Sequence, residues 1–281
     1  MNKRSIREVR PAVASRDGDG VAIRRVAGMG HPGMDPILMI DELRSQRRED
    51  LGGGFPPHPH RGMQTLTYMK RGGIVHEDSQ GNRGEIRGGG AQWMSAGRGI
   101  VHSEMPTADN GGFHGFQLWV NLAAAEKMSA PRYRDVPREG LAATAGPEFR
   151  AVAISGSWLL DGLQLEGPLR ELATRAGVLD LELEPGAKLE LALSATESAS
   201  AYVYDGGILQ GSTTVGPQQL VITDRGERWE LAAGERGAAL LVLRGEPLAE
   251  PVAHYGPFVM NTREEIEQAI SDYRSGQFAV T

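Results

Sequence analysis

Short apolar runs separated by glycine- and proline-rich turns recur along nearly the whole chain. That pattern predicts strands rather than helices. Residues 21–26 read as a strand, and Ile37-Leu38-Met39-Ile40, bounded by a Gly/Pro loop and by Asp41-Glu42, reads as a buried one. Residues 64–69 form the next, ended by the turn Arg71-Gly72-Gly73; residues 74–77 and 85–87 then pair around a turn at 79–84. Gln92-Trp93-Met94 follows the turn Gly88-Gly89-Gly90, and residues 116–122 alternate cleanly between apolar and polar positions. After a Pro- and Ala-rich stretch, strand-like runs return at 151–154, 179–183, 189–193, 201–204, 219–223 and 238–242. The last segment differs. Thr262 with Glu265 makes a capping box, and Ile266, Ala269, Ile270 and Tyr273 follow at helical spacing. A helix over about 262–275 is expected, with one apolar face packed on a barrel.

The two halves look like divergent copies. Tyr68-Met69-Lys70-Arg71-Gly72-Gly73-Ile74-Val75 lines up with Tyr202-Val203-Tyr204-Asp205-Gly206-Gly207-Ile208-Leu209, an offset of 134 residues. A self-similar period of that size indicates a duplicated domain. The expected organisation is residues 1–130, a linker at 131–147, and residues 148–281 carrying the helix. Carried back, the offset sets Ala192 opposite His58 and Ser194 opposite His60, and the second half keeps only His254. One half can therefore hold a multi-histidine site and the other has lost it.

Composition narrows the chemistry. The 281 residues include 38 Gly and 16 Pro, in keeping with an all-β design, and no Cys. Disulfides, thiolate metal sites, iron–sulfur clusters and cysteine nucleophiles are excluded. No apolar run has membrane length and no secretory h-region follows the charged N-terminus, so a cytoplasmic protein without membrane contact is expected. The formal net charge of −6 is unevenly spread: residues 1–138 hold 20 Lys and Arg against 15 Asp and Glu, and residues 139–281 hold 10 against 21. The basic charges are scattered, with no dense run or aromatic-interleaved stripe, which argues against direct nucleic-acid binding.

The candidate chemistry lies in His58-Pro59-His60 and His102-Ser103-Glu104. Side chains two apart on a strand share a face. If these segments are neighbouring strands, three imidazoles and one carboxylate converge, a set suited to a divalent first-row metal with open positions. His76 lies on a strand between them and could line the cavity; His114, His31 and His254 read as lying outside the metal shell. Met63, Trp93 and Met94 suit either the barrel core or an apolar wall for a planar ligand.

Pro56-Pro57-His58-Pro59-His60-Arg61-Gly62, His76-Glu77-Asp78-Ser79 and the run from Gln92-Trp93-Met94 to His102-Ser103-Glu104-Met105-Pro106 resemble the signature of the pirin family within the cupin superfamily. Further likeness at residues 114–122, 245–248 and 256–261 extends the resemblance over nearly the whole chain. It implies two tandem cupin (jelly-roll) β-barrels with a short C-terminal helix, and metal only in the N-terminal barrel. The family's ligands map onto His58, His60, His102 and Glu104. The metal implied is iron first, with nickel, cobalt, manganese or zinc able to replace it. Gln64 stands where family members often have Glu, so an altered charge beside the ligands is expected. The resemblance also implies one of two roles. One is a quercetin 2,3-dioxygenase-like enzyme acting on a small planar aromatic substrate with O2, Glu104 doubling as base. The other is a metal-dependent, redox-sensing regulator that binds a protein partner such as a transcription factor or metabolic enzyme.

Overall fold

A computed structural model describes residues 2–107 and 112–278. In chain order its strands begin with β1 (Ile6–Pro11), β2 (Val13–Asp17), β3 (Val21–Ala27), β4 (Ile37–Ser45), β5 (Phe55–His60) and β6 (Met63–Arg71). They continue with β7 (Gly73–Asp78), β8 (Arg83–Arg87), β9 (Ala91–Ser95), β10 (Ile100–Thr107), β11 (Phe113–Asn121) and β12 (Arg132–Val136). Next come β13 (Ala142–Ala145), β14 (Phe149–Ser155), β15 (Ser157–Leu160), β16 (Leu163–Glu166), β17 (Gly177–Leu183) and β18 (Lys188–Ala192). The rest are β19 (Ser198–Gln210), β20 (Thr213–Val215), β21 (Gln219–Thr223), β22 (Arg228–Gly245), β23 (Ala253–Tyr255), β24 (Phe258–Met260) and the helix α1 (Arg263–Arg274). The all-β expectation and the single C-terminal helix hold. Thr262 caps α1 in the expected box with Glu265.

The chain forms two compact units that are not consecutive in sequence. One comprises residues 14–25, 38–138 and 248–281; the other comprises 1–13, 26–37 and 139–247. The division expected at 131–147 is thus crossed at both termini. The N-terminal arm is strand β1, paired antiparallel with β21 from Ile6↔Thr223 to Pro11↔Gln219. Residues 131–147 are no plain linker either, since they contain β12 and β13, each paired within its own unit. Edge pairing of this kind comes from backbone hydrogen bonds and leaves little trace in side-chain type. No helix among the described residues is long and apolar enough to cross a membrane.

The unit holding residues 38–138 has two large sheets, β12-β9-β6-β11-β4-β3-β2 and β5-β10-β7-β8, besides the small β23-β24 pair. Its interior is graded. At one end Val21, Ile23, Leu43, Met69, Ile74, Ile86 and Phe113 form an apolar cluster. Further along the same inner faces stand Thr67 and Gln92 on β6 and β9, Gln117 on β11, and the histidines of β5, β7 and β10. Helix α1 buries Ile266 and Ala269 against Phe258, Met260 and Phe278.

The other unit has no such polar end. Trp158, Trp229, Leu189, Leu191 and Leu231 fill it together with the leucines of β17 and β22. Its β18–β22 pair matches Leu191 with Trp229 and Leu189 with Leu231. It thus carries buried apolar side chains on strands that repeat the order of β5 and β10. Trp229→Ala should cost about 3–5 kcal/mol by opening this packing, measured as a lower midpoint in urea unfolding of the full chain.

Candidate metal centre

Register brings the two sequence pairs together. β10 lies between β5 and β7. His102 is directly opposite His58, and on its other side Glu104 is opposite His76 and His102 opposite Asp78. The ring centroids of His58, His60 and His102 are 4.3–4.9 Å apart. Their candidate donor atoms lie within 4.8 Å of one another. Glu104 Oε2 is 4.0 Å from His102 Nε2. The three imidazoles therefore cluster on the inner face of one small sheet, with Glu104 beside His102.

Burial sets their protonation. His60, His102 and Glu104 are each no more than 3% exposed. Desolvation pushes the imidazole pKa values down, strongly for His60 and His102, and neighbouring histidines push the same way. The three rings are therefore neutral near pH 7. Burial pushes the Glu104 carboxyl up to about 7, against the opposing hydrogen bonds of Thr67 and Gln117. Gln117 Nε2 donates to Glu104 Oε2 at 3.0 Å. Thr67 Oγ1 sits 3.3 Å from Glu104 Oε1 and 2.5 Å from Gln117 Oε1, and its single proton serves one of the two.

Hydrogen bonds on the far side of the rings decide which nitrogen is free. His58 Nδ1 donates to the Pro56 carbonyl at 2.8 Å, leaving Nε2 with its lone pair. His60 is hydrogen-bonded to the backbone of Pro257, which offers only a carbonyl, so the ring is the donor. Its Nδ1 has no partner among the described residues, nor has His102 Nε2. Leaving a buried polar atom unmatched costs about 1–3 kcal/mol, so two such nitrogens pointing into one cluster call for a ligand. The donor set fits a divalent metal ion: three neutral imidazoles whose donor atoms cluster, with the Glu104 carboxylate beside His102.

The chain's C-terminal segment holds this arrangement. Beside the Pro257 contact, Val259 N donates to the Arg61 carbonyl at 3.0 Å. Buried Arg61 pairs with Asp272 at 2.6 Å and stacks on the Phe278 ring. Gly62, at φ +78°, lets the Val259 carbonyl come so close that a β-carbon would meet it at 2.0 Å.

The residues expected to line a pocket divide. Thr67 touches Glu104, and Trp119 packs edge-on against His60 at 5.1 Å, which fixes the inner face of the larger sheet. By strand alternation Met63 and Met94 share that face, Met94 lying opposite Thr65. Gln64 and Trp93 lie on the other face, so the expected change of charge beside the ligands does not arise from Gln64. His76 does join the interior, but it contacts His102 (Nδ1 to Nδ1, 3.3 Å) and Asp78 (3.2 Å). His114 is bonded to Glu42 at 3.0 Å on the outer face, and His31 pairs with Glu8 in the other unit. Thr67, Gln117, Trp119 and Tyr133 escaped sequence reasoning, although counting by twos along the strand at 116–122 would have put Gln117 and Trp119 together.

Comparison with known proteins agrees with the fold. The family model "Pirin" matches residues 21–120, and "Pirin C-terminal cupin domain" matches residues 178–279. A Vibrio cholerae protein provisionally named a quercetin 2,3-dioxygenase is 44% identical, over 98% of each chain. Human pirin is 36% identical, over 97% of this chain and 94% of its own. A crystal structure of quercetin 2,3-dioxygenase from Acinetobacter baumannii superposes with a TM-score of 0.89 at 28% identity, over 99% of both chains.

Proposed function

The chain is a member of the pirin family, and on that premise we propose that it is a mononuclear metal-dependent dioxygenase that opens flavonols such as quercetin with O2. The observation that carries this reading is the cluster of His58, His60 and His102 beside Glu104, with two buried ring nitrogens that have no partner among the described residues. Those four side chains would hold one divalent ion, iron first among the candidates. Such an ion would supply Lewis acidity there when bound. The protein's own part is protonic and steric. Glu104, if it swings off the ion, would accept the flavonol 3-hydroxyl proton. Gln117 and Thr67 keep its oxygens in place. Met63, Met94 and Trp119 offer apolar surface on the facing sheet to a planar aromatic.

The test is aerobic turnover of quercetin with carbon monoxide as the measured product. Release that depends on added metal supports the reading. No release by protein loaded with iron, nickel, cobalt or manganese overturns it.

The pH dependence of metal uptake follows from Glu104. Its carboxyl must lose a proton to bind, and burial has raised its pKa to about 7. Below that value protons compete, so nickel(II) affinity should rise about tenfold per unit towards pH 7 and then level off. The imidazoles, pushed down by burial, are already neutral at the upper end of this window. Glu104→Gln should flatten the profile, read by calorimetric titration between pH 5.5 and 8.5.

A further inference from the structure

Two of the three histidines have their free nitrogen chosen by a backbone carbonyl; His102 has no such partner. Its Nδ1 faces His76 Nδ1 at 3.3 Å. Which ring donates is settled further out. Asp78 Oδ1 accepts from the backbone N–H of Gln80 at 2.9 Å and of Asn82 at 3.0 Å. Its Oδ2 accepts from Asn82 Nδ2 at 2.9 Å. The remaining neighbour of Oδ2 is His76 Nε2, at 3.2 Å. A carboxylate held by donors on every other side accepts here too, so the His76 proton sits on Nε2. His76 Nδ1 is then an acceptor, His102 Nδ1–H donates to it, and His102 Nε2 is left bare. That is the nitrogen without a partner, 4.0 Å from Glu104.

We propose that Asp78 and His76 are positioning residues that fix the tautomer and orientation of His102, so that its Nε2 lone pair faces the metal centre. The surroundings hold the relay still. Tyr133 stacks on the His76 ring at 4.5 Å and 26°. Its hydroxyl donates to Asp135 at 2.6 Å and accepts from Gln92 at 2.9 Å. Residue 84, opposite His76 in the register, is glycine; a β-carbon there would lie 2.2 Å from the Tyr133 hydroxyl and 2.0 Å from Asp135 Oδ2. A side chain at 84 would thus displace the ring that clamps His76. Metal-bound histidines commonly depend on such an outer partner, and its loss costs about 10- to 100-fold in affinity.

The proposal rests on the metal-centre reading, but its first test does not need a metal. Long-range proton–nitrogen NMR of the metal-free protein, with histidine labelled, should show His102 protonated at Nδ1 and bare at Nε2, and His76 protonated at Nε2. Asp78→Asn reverses the relay. Its carbonyl stays with the two backbone N–H groups, so its amide nitrogen faces His76 and donates. The His76 proton moves to Nδ1, and that of His102 to Nε2. Nickel(II) affinity by calorimetric titration should fall about 10- to 100-fold. His76→Asn, whose side-chain oxygen can still accept from His102 Nδ1–H, should keep both the His102 signature and most of the affinity. Circular dichroism checks that each variant is folded. If wild-type His102 carries its proton on Nε2, or if folded Asp78→Asn leaves tautomer and affinity unchanged, the proposal is overturned. The wild-type spectrum decides even if the variants do not fold. Should His102 show the expected tautomer while no nickel binds, the relay stands and the metal-centre reading fails.

Discussion

His102→Leu should abolish tight nickel(II) binding while leaving the metal-free protein about as stable as the wild type. The first half follows from ligand count. Two imidazoles and a carboxylate remain, and the loss should be about a thousandfold or more, beyond what removal of a supporting outer group costs. The second half follows from burial. His102 Nε2 is enclosed with no hydrogen-bond partner. Such an atom costs the fold about 1–3 kcal/mol until something binds it. Leucine removes that cost and fills much the same volume, but it leaves buried His76 Nδ1 unmatched in turn, so the two changes nearly offset each other. Thermal unfolding with and without nickel separates the effects. In the wild type added nickel raises the midpoint, since whatever binds only the folded state stabilises it. In His102→Leu it should not, and the metal-free midpoint should hardly move. A large drop without metal would make His102 a structural histidine.

Lys127→Met should destabilise the unit containing it by about 3–5 kcal/mol, one of the largest losses available from a single exchange of similar volume. Lys127 is 1% exposed. Its Nζ donates to the Gly62 carbonyl at 2.8 Å, to Asn121 Oδ1 at 2.7 Å and to the Val259 carbonyl at 3.0 Å. It thus ties the chain just after His60 to the C-terminal strand β24. Methionine leaves three buried oxygens without their donor. The pH dependence gives a second signature. Burial lowers the Lys127 pKa from 10.5 to about 8. Between those values the unfolded chain binds the proton and the folded chain releases it, so this group's contribution to stability rises with pH across the window. In the variant that slope should be missing, as measured by urea unfolding at pH 7.5, 9 and 10.

The clustering of His58, His60 and His102 was legible because a strand places residues i and i+2 on one face, a rule that needs no tertiary knowledge. Gln64 shows where the rule fails. Counted from His60 it falls on an even step, and so towards the ligands. Between them lies the turn at Arg61-Gly62, where the positive φ of Gly62 ends β5 and restarts the alternation in β6. Parity carries along a strand and not across its end. The exchange of terminal segments between units was invisible for another reason. Ile6 and Val9 are three residues apart, out of step with strand alternation because of an irregularity between Ile6 and Glu8, and nothing in them names β21 as the partner. Likewise, the role of Pro257 beside His60 depends on a carbonyl, which every residue has. The filled interior of the other unit was half legible: missing histidines said it had lost a site, but not that Trp158 and Trp229 occupy the space.

The central claim is that His58, His60, His102 and Glu104 hold one divalent metal ion. Metal analysis of anaerobically purified protein by inductively coupled plasma mass spectrometry, beside a His58→Ala/His60→Ala variant prepared in the same way, tests it most directly. The account predicts close to one transition-metal ion per wild-type chain and essentially none in the variant. Equal metal content in both, or none in the wild type even after incubation with iron(II) or nickel(II), would contradict it.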